Sequence, residues 1–490
     1  METDRSSCDG PLFLGIDVGT GGVRAVVVNE TGAIVAAGSI PFAPEVLAPK
    51  PGQHEQPPEA WWDAVCQVSR ATLDQLQPND IPRLTALAVD GTSGTIVALD
   101  RTGIPLRPAL MYNDPRASSE ADAVNSAAEG FCEKLGYQFN ASFALTKIAW
   151  LRSHEPAIFD RTARLVHQAD FIVERLTGEP ALTDFSNALK TGYDLVDECW
   201  PAWIHDSLGI GSQLPQVVAP GTVIGTVSEA AARQTGLPRG LHVAAGATDG
   251  TAGFLASGAS RPGDFNTTLG TTLVFKGIAS RLCRDPHGLI YCHKLPGGLW
   301  LPGAASNTGA EWISRMFPHF HVTELDQAAS TRLPTGCLAY PLARTGERFP
   351  FLAPDARGFF LPEPSDPADR HAACLQGVAF LERLGYEVID TAAGSSGGDV
   401  FSTGGGSRSD VWMQCRANAT NRLIHRPACG ESAFGAAVLA AAGTHYDGIA
   451  ESIRHMVRIE RSFSPERELT GRYEELFDRF CAELQTRGYL

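Results

Sequence analysis

The chain has no C-x-x-C pair. Its 11 cysteines stand singly between Cys8 and Cys481, so neither a zinc site nor a dithiol redox motif is indicated. Reduced thiols in a cytoplasmic protein are the expectation. No apolar run reaches the length that spans a bilayer, and the opening METDRSSCDG carries no signal-peptide h-region. Positive charge is in deficit, with 40 Lys and Arg against 55 Asp and Glu and a formal net charge of -15. That excludes the extended basic face which nucleic acid or an anionic membrane requires. A small anionic ligand, which needs only a local site, stays open. There is no G-x-x-x-x-G-K-[ST], so the chain is not a P-loop protein. No G-x-G-x-x-G joins a strand to a helix, which disfavours a dinucleotide fold.

What is present is a chain of 490 residues, 43% hydrophobic and 19% charged. The length is too great for one ordinary core, so two domains are expected. Near the start, Phe13 to Ile16 read as a buried strand ended by Asp17. Gly19, Thr20, Gly21 and Gly22 follow, then strands over 23–29 and 33–38. The Pro-rich stretch 41–58 reads as a loop. After it, Trp61, Trp62, Val65, Val68, Thr72, Leu73 and Leu76 recur at helical spacing. "LTALAVDGTSGTIVALD" reads as strand, turn, strand, and residues 141–176 as mostly helical. "HVAAGATDGTAGFLASG" takes a small-residue strand into a helix at Asp249. "RPGDFNTTLGTTLVFKGIA" repeats the opening design, and "VFSTGGGSRSDVWMQCRAN" is strand, glycine turn, helix. Glycine turns at strand ends in both halves, with helices between, suggest two α/β domains on one plan, 1–258 and 259–490.

Successive backbone N–H groups in a tight turn form an anion-binding concavity. The same residues also suit a plain hairpin with a permissive turn. Asp17 beside the first turn would repel phosphate, unless a Mg²⁺ ion bridges the two; alternatively it closes an Asx-turn on its own backbone. Asp249 reads either as the N-cap of its helix or as a base at a strand-to-helix junction. Ser93 is a turn serine or a hydroxyl that meets a polyol. His54 and His167 show no metal spacing.

In order, "DVGTGGVRAVV", "PALMYNDPRA", "GATDG", "TTLGTTLV", "ASNTGAEWI", "STGGGSRSDVWMQ" and "ESAFGAAVLAAAG" resemble motifs of the FGGY family of carbohydrate kinases across nearly the whole chain. "DGTSGT", "LVHQAD", "NALKTGYD", "GAASNTG" and "YPLARTGERFP" look closest to its D-ribulose kinase branch, also called plant-type xylulose-kinase-like. The resemblance implies an α/β fold of two actin-like ribonuclease-H-type domains flanking a deep cleft. It implies ATP and Mg²⁺, a small-molecule sugar as partner, no nucleic acid or membrane, and a monomer or homodimer. Asp249 would be the general base and contact the sugar with Ser93 and Asp17, and Asp17 would also hold Mg²⁺. Gly19, Thr20, Gly21 and Arg24 would face the transferred phosphate, and Gly270 and Thr271 the others. Gly309, Gly404, Gly405 and Ser409 would line the nucleotide site. Two departures stand out. Gly21-Gly22-Val23 occupies a place where many relatives have hydroxyl residues, and Ala310-Glu311 follows Gly309 where many have a glycine and a small residue. The implied reaction is ATP plus D-ribulose to D-ribulose 5-phosphate. The alternatives are another acceptor (D-xylulose, L-ribulose, glycerol or a sugar acid) or an actin-like ATPase with no sugar acceptor.

Overall fold

A computed structural model describes residues 10–490 apart from 48–49, 181, 286–287 and 396. It divides into two units. The first takes the chain through Ala256, with His293–Gly297 and Cys429–Arg458; the second takes Ser257–Cys292, Gly298–Ala428 and Ile459–Leu490. The chain thus returns to the first unit well after residue 258.

The sheet of the first unit is built from β1 (Leu12–Val18), β2 (Gly22–Asn29), β3 (Ile34–Pro41), β4 (Leu84–Gly91), β5 (Val223–Thr226) and β6 (His242–Thr248), in the spatial order β5-β6-β4-β1-β2-β3. β1 runs antiparallel to β2 and parallel to β4, and β6 is parallel to β4. Every residue of β1 is buried, because alternate side chains enter opposite layers. Leu12, Leu14, Ile16 and Val18 join a core with Trp61, Val65 and Val68 of helix α1 (Pro58–Leu73) and Phe171 and Ile172 of α2 (Gln168–Thr177). On the other face lies α6 (Ser432–Ala442), the closing helix, buried from Ala433 to Ala442. Gly15 permits that approach, since a Cβ there would lie 1.8 Å from Ala433 O. Gly435 does the same against Ala252 O of α3 (Asp249–Ser257), again at 1.8 Å. These two backbone contacts are why the returning segment belongs to the first unit.

The second unit repeats the plan. β7 (Phe265–Leu269), β8 (Leu273–Gly277), β9 (Leu299–Ser306), β10 (Val400–Thr403), β11 (Ile424–Pro427) and β12 (Ile459–Phe463) follow the order β9-β8-β7-β10-β11-β12. As in the first unit, three antiparallel strands lead into two parallel ones and an antiparallel edge. Helices α4 (Pro367–Ala393) and α5 (Asp410–Thr420) pack on it.

One expectation needs correction. β1 does not end before Asp17 but continues to Val18, because Asp17 is paired on both sides, with Arg24 of β2 and Asp90 of β4. The stretch 141–176 is mostly helical, as expected, with one interruption that the sequence did not reveal. Arg164–His167 is a strand, paired antiparallel with Ile96–Leu99, and four residues are too few to display a two-residue period.

Candidate active site

The first turn is braced from its flanks. Gly19 N–H donates to Gly22 O at 3.0 Å, and Phe42 N–H to Gly21 O at 3.0 Å. Gln56 Nε2 donates to Thr20 O at 2.9 Å, and Gln56 Oε1 accepts from Trp61 Nε1 at 2.8 Å, which holds the amide in place. Gly22 is dictated by packing, since a Cβ would sit 2.5 Å from Ile40 O. Gly21 is not: nothing lies within 4 Å of its would-be Cβ. The lack of a hydroxyl side chain at 21 is therefore this chain's own choice, not a steric necessity.

Asp17 is buried and accepts from Arg24 Nη1 at 3.1 Å, while the Arg24 side chain remains 57% exposed. No Asx-turn forms. Asp249 opens α3, half-buried, and its Oδ1 accepts from Gly250 N–H at 2.6 Å. Its carbonyl accepts from the hydroxyl of Ser432, the first residue of α6, at 2.9 Å. The preceding Thr248 N–H donates to Ser186 Oγ at 2.8 Å, and that hydroxyl donates to Asp184 Oδ1 at 2.5 Å. The strand end that presents Asp249 is therefore fixed from two sides. Ser93 lies in the turn after β4, and its buried Oγ has no partner among the described residues.

Sequence reasoning missed Asp90. It lies near the end of β4, between the strand of Asp17 and the strand leading to Asp249. It is fully buried, and neither oxygen has a hydrogen-bonded donor among the described residues. Its neighbour is another carboxylate, so a hydrogen bond to Asp17 needs a proton on Asp90. Burial, then Asp17 and Asp249, hold the Asp90 carboxyl well above the usual carboxylate range, with Arg24 opposing. A signal was available: "LAVDGT" repeats the strand-Asp-Gly-Thr logic of "GIDVGT".

In the second unit, Gly270 N–H donates to Thr272 O at 3.1 Å. Gly309 abuts that turn, since a Cβ would stand 2.6 Å from both Gly270 O and Thr271 O. Ala310 N–H donates to Gly270 O at 2.8 Å. Gly404 has φ +86, in the left-handed region glycine favours. Ser409 caps α5, its Oγ accepting from Trp412 N–H at 3.0 Å. Gly270, Thr271, Gly405 and Ser409 line one cavity of about 820 Å³ with Phe317 and Asp326, while Gly309 and Gly404 back the turns without lining it. That volume suits a nucleotide-sized ligand.

A sheet repeated in two units, each with glycine turns at its strand ends, is the two-domain arrangement of actin-like ATPases and sugar kinases. Within that class the chain belongs to the FGGY family of carbohydrate kinases, whose N-terminal domain matches residues 12–256 and whose C-terminal domain matches residues 265–444. It is therefore related to enzymes that move phosphate from ATP to a sugar. A xylulose kinase of Streptomyces rubiginosus is 30% identical, with 98% of this chain and 97% of that protein covered. A xylulose kinase of Escherichia coli is 27% identical, covering 96% and 99%. The crystal structure of xylulose kinase from Rhodospirillum rubrum superposes with a TM-score of 0.86 at 28% identity, covering 97% and 98%. The D-ribulose kinase branch expected from the sequence is not the name these relatives carry.

Proposed function

We propose that this carbohydrate kinase transfers the γ-phosphoryl group of ATP to a hydroxyl of a ketopentose, with D-xylulose as preferred acceptor. The near full-length similarity to proteins named xylulose kinase supports that sugar. The observation that carries the chemistry is the row of three carboxylates in the first unit, Asp17 and Asp90 on the adjacent strands β1 and β4 and Asp249 immediately after the end of β6, the next strand along. Phosphoryl transfer asks a protein mainly for positioning and charge neutralisation. Asp249 takes the proton of the attacking sugar hydroxyl, help typically worth about 10²–10⁴ in rate. Ser93 and Asp17 orient the sugar. Backbone amides at Thr20 and Gly21, with the Thr20 hydroxyl, hold the transferred group in the turn that Gly19 closes, and Gly270, Thr271, Gly405 and Ser409 hold the nucleotide.

The donor set fits Mg²⁺, which favours one or two carboxylates and keeps several waters. Asp17 is one, and the unpartnered Asp90 is a second hard oxygen donor beside it. No group of three potential protein ligands forms among the described residues. When bound, the ion supplies neutralisation of phosphate charge. The ten described cysteines are free thiols, which supports a reducing, cytoplasmic setting.

D-Ribulose is the second reading, favoured by "DGTSGT" and by the unpartnered Ser93 hydroxyl within it. A panel of D-xylulose, D-ribulose, L-ribulose and glycerol, read by ADP release, decides between them. The expected result is the highest kcat/KM with D-xylulose. A preference of tenfold or more for D-ribulose would reverse the assignment, and ATP turnover indifferent to every sugar would indicate an actin-like ATPase.

A further inference from the structure

The cavity of the second unit contains a polar pair that the glycine turns do not explain. Asp326, on the helix Val322–Ser330, supplies its one lining carboxylate among the described residues. One oxygen, Oδ1, accepts from His371 Nε2 at 2.7 Å. The Asp326 side chain is 13% exposed, and that of His371 is 0% exposed. The His371 ring packs against Trp312 and Phe317, with centroids 5.3 and 5.5 Å away. Its Nδ1 is buried with no partner among the described residues. A neutral ring in that setting carries its proton on Nε2, where the acceptor is. His371 thus fixes one oxygen of Asp326 and leaves the other, Oδ2, without a hydrogen-bonded partner among the described residues, on a side chain that lines the cavity.

A carboxylate repels phosphate unless a cation bridges them, and Asp326 has no second lining carboxylate beside it to help hold one among the described residues, so it does not suit the phosphate end. Its neighbours suit a flat ring instead: Phe317, Pro318 and Val322 also line the cavity, and Val322 lies one helical turn from Asp326, on the same face. A largely enclosed acceptor beside an apolar slot selects an occupant that brings a donor, because an occupant without one leaves the acceptor unpaired.

Resting on the nucleotide reading of this cavity, we propose that Asp326 reads the nucleobase, with Oδ2 accepting from the 6-amino group of adenine and His371 acting as its positioning residue. A 6-keto base in the same place sets its oxygen against the carboxylate. The site therefore discriminates adenine from hypoxanthine.

The test is titration calorimetry of the full chain with ADP and with IDP. The wild type binds ADP about tenfold or more tightly than IDP, the size expected for a hydrogen bond to a charged group. Asp326→Asn keeps an oxygen for His371 and turns the other atom from acceptor to donor. The ADP:IDP preference then falls by about tenfold or more, towards or past unity. His371→Phe weakens the preference, and His371→Gln, whose amide still donates to Asp326, restores it. A purely structural tie between the two helices would lower Tm in these variants and leave the ratio unchanged. A ratio within twofold of wild type in folded Asp326→Asn overturns the proposal. Wild type that binds neither ADP nor IDP overturns the nucleotide reading itself, and the proposal with it.

Discussion

Lys147 is 1% exposed, its ammonium donating to Ala141 O at 2.5 Å, Tyr112 O at 3.3 Å and Phe143 O at 3.4 Å. Burial first, and then Lys190, push it down from 10.5 to about 7, with Asp114 opposing. In the unfolded chain the amine returns to its ordinary value. Between these two values the unfolded state binds the extra proton, so stability rises with pH across that window. Below about 7 both states are protonated, and the cost of burying the charge is present in full. Urea denaturation at about pH 7 and about pH 9 is expected to show a larger gain for wild type than for Lys147→Met, in which the other titrating groups are unchanged. Equal gains would mean that Lys147 is not depressed. At this same scale the site was only partly legible. Asp17 and Asp249 are legible from the motifs "DVGTGGVRAVV" and "GATDG". Asp90 is not, because its role depends on lying between those two strands, and strand order is not written in local sequence.

Helix α4 meets α5 through an ion pair with no exposure on either side. Arg416 Nε and Nη2 donate to the two oxygens of Glu382, each at 2.6 Å, and Nη1 donates to Ser402 Oγ at 2.6 Å. Replacing both partners with apolar residues can be nearly neutral, whereas removing one leaves a buried charge uncompensated. Glu382→Ala should therefore cost about 3–5 kcal/mol in urea denaturation. A loss below about 1 kcal/mol, the scale of an exposed pair, would show that Arg416 finds water or another partner. Elements with a long period were readable: α1 was expected from its apolar spacing and spans Pro58–Leu73. The strand Arg164–His167 was hidden because its partner, Ile96–Leu99, lies far away in sequence.

Across the whole molecule, the repeated plan was visible as glycine turns recurring after strands, and the two sheets share the same run of antiparallel and parallel pairings, although the edge strand precedes its partner in the chain in the first unit and follows it in the second. The return of Cys429–Arg458 to the first unit was not visible. It depends on Gly15 and Gly435 letting backbones touch, and a glycine in a sequence does not name what approaches it. The acceptor is read differently at the two scales. Five short motifs, from "DGTSGT" to "YPLARTGERFP", favoured D-ribulose, while similarity over nearly the whole chain favours D-xylulose. Both readings share one chemical step at Asp249. The most direct measurement is steady-state turnover of Asp249→Ala with ATP and the best sugar of the panel, alongside ADP binding by calorimetry. The account predicts a fall in kcat of about 10²–10⁴ with ADP affinity unchanged. Near-normal sugar-dependent turnover in a folded variant would contradict it.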